Sequence, residues 1–296
     1  MNKIKAEIDY FRYFKVLIYI IAIIFIVSYL IDGFSFYSTA YSKRPRHEAY
    51  RLLRPAGDFG HGFGIIGSSM MLFMLLYSVR KRTRIFRNWG RLNRWLDIHI
   101  FFGIIGPLLI VLHTSFKVQG LVAVSFWSMV AVAGSGILGR YLYLQIPRSI
   151  RGDELSHEQI NQALAEAESD DIVDFKIDEK IMIEIENDFL AKIAEGRGII
   201  SSVATSIIDD LTSFISKRRL YKKHLLKYGL SPEVTRKLGA LARKRALLKR
   251  KSMLLNQIQQ LFHYWHVFHK PFAIIMYIIM LVHVGVAVWL GYSWIF

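Results

Sequence analysis

"HIFFGIIGPLLIVLH" occupies residues 99–113, with a histidine at each end and thirteen uncharged residues between them. Fourteen steps of α-helical rise cover about 21 Å. The two imidazoles therefore fall toward opposite sides of a bilayer core, where polar groups are costly and seldom without purpose. The interval returns in "HKPFAIIMYIIMLVH", residues 269–283. Fourteen steps of about 100° leave the two histidines of each segment within roughly 40° of one helix face.

Outward from these two segments, the chain divides into five apolar stretches long enough to span a bilayer: about 14–31, 60–79, 96–116, 121–146 and 269–294. Lys3, Lys5 and Arg12 precede the first, and no small-residue cleavage site follows it. It reads as an uncleaved helix rather than a signal peptide. Pro147 stops the fourth. The expected fold is an all-α polytopic membrane bundle of about five helices. Residues 1–146 would hold four spans, 147–264 a helical basic insertion, and 265–296 the span completing the bundle. In the insertion, Ser231 and Pro232 make a suitable N-cap and first-turn pair, and Gly196 and Gly198 mark a break.

Charge distribution suggests the orientation. "RKRTRIFRNWGRLNR", residues 80–94, carries seven Lys/Arg in fifteen residues and lies on the same side as the N-terminus and the insertion. The positive-inside bias puts that side in the cytoplasm of a bacterial-type inner membrane. The opposite loop, 32–59, holds five basic residues and weakens the contrast.

A chain that is 53% hydrophobic with a formal net charge of +16 suits a membrane protein with basic aqueous segments. Having no cysteine, it excludes disulfides, thiolate zinc sites, cysteine-held iron–sulfur clusters and covalently attached c-type haem. The basic stretch 236–251 stands before a membrane span, so contact with anionic lipid head groups is expected and nucleic acid is not. "GFGIIG" (62–67) and "GSGILG" (134–139) match a dinucleotide-binding pattern, but that pattern has meaning only between a strand and a helix. Both lie in membrane spans and read as small residues permitting close approach. P-loop, nucleophile-elbow and H-E-x-x-H motifs are absent from the sequence.

One span separates the third stretch from the fifth, so these two run parallel. His99 then stands level with His269, and His113 with His283. Neutral imidazole is a good ligand for iron, and an iron porphyrin takes one axial ligand on each face. Two parallel helices can supply such pairs. The expectation is two bis-histidine b-type haems, one toward each membrane surface. Gly103 and Gly106, between the ligands, would leave clearance for porphyrin, and Gly134, Gly136 and Gly139 thin the fourth span. Arg140 needs a partner for its charge, which a haem propionate or snorkelling to the interface would provide. His61 could line a quinone pocket, support a propionate, or be an ordinary interfacial histidine. His47, His157 and His224 read as surface residues. Pro271, two residues on, favours a helix start there, which weakens His269 against His266 and His263 one and two turns upstream; His269 is still preferred because His266 lies about a quarter-turn off the His283 face.

Paired histidines on two membrane helices resemble the ferric-reductase-like transmembrane family and, more broadly, two-haem membrane b cytochromes. "HKPFAIIMYIIMLVH" is similar to that family's ligand helix, with a basic residue beside the first histidine and an apolar run to the second. The likeness covers spans two to five. It implies His99, His113, His269 and His283 as axial ligands passing electrons across the membrane. Oxidase and ferric reductase members carry a flavin and nicotinamide domain after the last span, and no such domain is expected here. Electrons are accordingly expected from quinol or a redox partner protein, with the chain acting as an electron-transfer subunit of a membrane oxidoreductase. Two other readings stand beside this one: a histidine-based proton or metal transporter, and a membrane scaffold for a redox complex. The oligomeric state is left open.

Overall fold

The structure is a computed structural model that describes residues 10–83, 88–146, 183–187 and 232–292, with single positions 86, 158, 159, 162 and 227. Helices α1 (Tyr10–Asp32), α4 (Asp58–Arg82), α5 (Leu92–His113), α6 (Leu121–Gln145) and α7 (Pro232–Trp289) account for most of it. Two short helices, α2 (Phe34–Ser38) and α3 (Tyr50–Leu53), lie between α1 and α4. Five helices are long and apolar enough to cross a membrane, and no strand occurs among the described residues. The fold is an all-α polytopic bundle, and the chain is an integral membrane protein whose apolar helices meet lipid.

The chain forms two compact units, Met1–Ile137 with Val267–Phe296, and Leu138–His266. In the first, α4 and α5 pack antiparallel in one register that pairs Gly60 with His113, Gly67 with Gly106, and Met74 with His99. The middle pair sets the approach: a Cβ on Gly106 would sit 3.3 Å from the Gly67 carbonyl oxygen, and one on Gly67 would sit 3.0 Å from that of Gly106. Small residues give membrane helices this proximity. Replacing Gly106 by leucine is expected to cost about 1–3 kcal/mol by overpacking. A lowered melting temperature of the detergent-solubilised protein would register it. Ile26, Phe63, Ile105, Leu109 and Leu112 bury the seam between α1, α4 and α5. Lys15 of α1 pairs with Asp97 of α5 at 3.0 Å, which offsets the cost of placing these two charges within the spans. Met71, Met129, Met276 and Met280 form a second cluster joining α4, α6 and α7.

The segment between α1 and α4 folds into a cap held by Arg44, which is only 7% exposed. Its guanidinium donates to the carbonyls of Thr39 (2.9 Å), Ser115 (2.7 Å) and Tyr37 (2.7 Å), and lies 4.2 Å from the Tyr41 ring centre. Tyr41 donates to the Phe116 carbonyl and Ser115 to that of Leu53. Ser115 and Phe116 adopt left-handed backbone (φ +47° and +63°), turning the chain out of α5. Burial raises the Tyr37 phenol above its usual pKa, keeping it a donor to the Tyr29 hydroxyl at 3.3 Å. At the start of α4, a Cβ on Gly60 would fall 2.1 Å from the Arg54 carbonyl oxygen, a closeness that requires glycine.

In the second unit, Leu142 and Ile146 pack with Leu255 and Ile258, and Gly139 lies flat against the Trp265 indole. Glu186, 1% exposed, meets Arg245 at 3.3 Å and Lys249 at 2.6 Å. Lys251 donates to the Leu144 carbonyl near the C-terminus of α6, where a cation complements the helix dipole. Most of the expected helical insertion lies outside the described residues, including Ser231, His157, His224, Gly196 and Gly198. The basic stretch 236–251 belongs to α7.

One expectation is corrected. Pro271 does not start a helix: α7 runs unbroken through it for 58 residues, from Pro232. A proline inside a helix forfeits one backbone hydrogen bond, and membrane helices tolerate this where neighbouring groups compensate.

Candidate cofactor site

All four histidines of the repeated interval lie in the first unit, on α5 and α7. His99 places Nδ1 3.2 Å from the Met74 carbonyl oxygen, with its ring 5.1 Å from that of Tyr77. His113 places Nδ1 2.8 Å from the Gly60 carbonyl oxygen. A carbonyl can only accept, so in both neutral rings Nδ1 carries the proton and Nε2 the lone pair. The two acceptors, Gly60 and Met74, are themselves fourteen residues apart on α4, matching the interval between the histidines they orient.

His269 reaches the same tautomer through α6. Its Nδ1 lies 2.8 Å from Ser135 Oγ, and that hydroxyl donates its proton to the Val132 carbonyl at 2.9 Å. The oxygen is left to accept from Nδ1–H, which again makes Nε2 the lone-pair nitrogen. His266 differs. It belongs to the second unit, returns its Nδ1 to the Phe262 carbonyl at 2.8 Å, and packs edge-on against Phe262 and Trp265. His263 is exposed.

His283 and His61 both lie near His113. His61 is half-buried in the first turn of α4, and its Nε2 is buried without a hydrogen-bond partner among the described residues. The methionine cluster occupies the depth between the two histidine levels on α7, with Met276 and Met280 lying between His269 and His283. There Tyr277 donates to the Met71 carbonyl at 2.6 Å and Ser125 to that of Met276 at 3.0 Å.

The glycines sort differently from the expectation of porphyrin clearance. A Cβ on Gly103 would meet Met74 Cε at 3.2 Å, and Gly106 faces Gly67, Met70 and Met71, so the space these two residues leave is filled by α4. Gly136, like Gly134 and Gly285, has nothing within 4 Å of where its Cβ would be. Gly64, read from the sequence as a small residue permitting close approach, makes room for the His113 ring: its Cβ would fall 2.6 Å from Nδ1. Arg140 belongs to the second unit, with its guanidinium 5.6 Å from the Tyr143 ring centre. Ser135 also escaped the sequence reading, although it sits within "GSGILG", whose glycines drew attention.

Neutral imidazoles of this kind would be suitable ligands for iron. Rings fixed through Nδ1–H present Nε2 to a metal, and such outer hydrogen bonds raise ligand basicity. His99 and His269 could hold one group, and His113 and His283 the other. Comparison with protein-family models, curated proteins and solved structures finds no match for this chain.

Proposed function

We propose that this protein is a di-haem cytochrome b that relays electrons across a bacterial-type inner membrane, between a quinol or protein donor and a redox partner. The observation that carries the reading is the fixed tautomer of His99, His113 and His269, each tied through Nδ1 to a neighbouring helix, at two levels fourteen residues apart. When bound, haem iron supplies one-electron chemistry in a layer that ions do not cross. The protein's own part is to orient four imidazoles, exclude water with the methionine and aliphatic clusters, and hold α4, α5, α6 and α7 at fixed separations. The basic segment 80–94 supports a cytoplasmic position for its end of the bundle and for the N-terminus.

Protein purified from haem-replete cells should show a reduced b-type spectrum with about two haems per chain. A colourless preparation from such cells would defeat the reading. Within it, Ser135→Ala removes the acceptor that orients His269. Loss of an outer hydrogen bond weakens metal retention by on the order of 10- to 100-fold. Haem at the His99–His269 level should therefore be lost first during dilution or competition with apomyoglobin, while the other is kept.

A further inference from the structure

The face of α7 that packs on α6 continues past the end of that helix and changes character there. Leu254 and Ile258 stand against Tyr141 and Leu142 of α6. Toward the start of α7 the same face carries Ala240, Arg243, Lys244, Leu247, Leu248 and Lys251, which line a cavity of about 340 Å³. Spacings of three and four residues put these side chains on one stripe of the helix. Arg243 and Lys251 are about 12 Å apart along its axis. Three cations thus flank a floor of two leucines, in a volume at the lower end of small-ligand sites. No acidic side chain lines the cavity among the described residues. Glu186, the buried acid of this unit, is held by Arg245 and Lys249 on another face of α7. The depth of the stripe is set by Lys251, which donates to the Leu144 carbonyl at 3.1 Å. With 25 residues, α6 rises about 37 Å, more than the roughly 30 Å of a hydrocarbon core. Its last turn, with Lys251 beside it, therefore falls in the headgroup layer, and Arg243 and Lys244 stand just outside.

We propose that this stripe is a binding site for one anionic glycerophospholipid. The phosphodiester is held between Lys251 and the Arg243–Lys244 pair, Leu247 and Leu248 cover the glycerol, and the acyl chains enter the bilayer beside Leu254. The stems of Lys and Arg add apolar surface while their charged heads meet the phosphate. A zwitterionic lipid brings its own cation to the same place and gains less. Diffuse attraction to an anionic surface depends on how many charges a protein carries near it. Binding at this site depends on which charges they are.

Phosphatidylglycerol is the probe, titrated into the full-length, delipidated protein in a neutral detergent, with native mass spectrometry counting lipids per chain. The first equivalent should bind at concentrations where phosphatidylcholine does not. Arg243→Gln with Lys244→Gln should weaken that first equivalent on the order of 30-fold, at about a tenfold change per 1.4 kcal/mol and about 1 kcal/mol per cation near an anionic headgroup. Lys81→Gln with Arg82→Gln, in the exposed last turn of α4, removes the same charge and should leave it unchanged. Lys244 is exposed, so Lys244→Gln alone keeps the test open if the double variant does not accumulate, with about a fivefold weakening expected. Equal binding of phosphatidylcholine, a first equivalent indifferent to Arg243 and Lys244, or an equal loss in the Lys81 and Arg82 variant would each overturn the proposal. None of these outcomes depends on haem, so they are distinct from the colourless preparation that would defeat the di-haem reading.

Discussion

His113→Ala is expected to halve the haem content of the purified protein, from about two per chain to about one. The substitution removes the ring whose Nδ1 lies 2.8 Å from the Gly60 carbonyl, at the C-terminal end of α5. His61, also near it, sits on α4 with its Nε2 buried. The fold itself should persist, since the α4–α5 seam rests on Gly67, Gly106 and the aliphatic cluster around Leu109 rather than on the imidazole. Pyridine haemochrome quantification against protein concentration measures the effect. His263→Ala, at an exposed position in the second unit, is the control and should keep the full content. Unchanged haem in His113→Ala would remove this residue from the ligand set.

The second large effect is expected at Arg44, more than fifty residues from any candidate ligand on α5 or α7. Arg44→Ala withdraws donors from the carbonyls of Thr39, Tyr37 and Ser115 at once, and takes the cation from the face of Tyr41. Each buried acceptor stranded in this way costs about 1–3 kcal/mol, with water recovering part of the total. A net loss of roughly 3 kcal/mol would lower the melting temperature by about 10 °C. Lysine should restore only a fraction, because an ammonium on a flexible stem cannot span the fan of acceptors that a planar guanidinium reaches. The damage should also reach the site. Ser115 stands two residues beyond His113, and the backbone before Gly60 packs on the same cap. Haem loss at the His113 level should therefore accelerate in Arg44→Ala, with the His99 level unaffected. A stable variant with unaltered haem retention would show that the cap does not position the ligand.

Periodicity and spacing revealed much of this arrangement in advance. The apolar runs mark the five long helices, because a backbone in lipid must satisfy its hydrogen bonds internally and the helix does so over any apolar run. The doubled interval from His99 to His113 and from His269 to His283 is likewise readable without coordinates. What periodicity does not carry is the identity of the neighbour on each face. Gly103 and Gly106 lie between the histidines in sequence, yet their open sides turn to α4, a helix whose placement depends on the whole bundle. Ser135 acts across an interhelical contact, so nothing local marks it as a support for His269, and Gly64 is legible only as a small residue permitting close approach, not as the neighbour of His113. Pro271 misleads for a related reason: a proline preference learned from free helix starts yields to tertiary and lipid context inside a long helix. Arg44 weighed against the charge asymmetry of the loops, but its guanidinium is engaged by carbonyls within the cap.

The shared antiparallel register of α4 and α5 has a consequence for biogenesis. Both helices, and both carbonyls that orient His99 and His113, are complete well before the ribosome reaches α7. Roughly 155 residues separate His113 from His269, a delay of about 8–30 s at ordinary elongation rates. During that interval the hairpin can already stand in the membrane with its two rings turned to the correct nitrogen. On the di-haem reading, α7 would then arrive at a half-built receptor, and cofactor capture would be a late event whose geometry the first half of the chain has set.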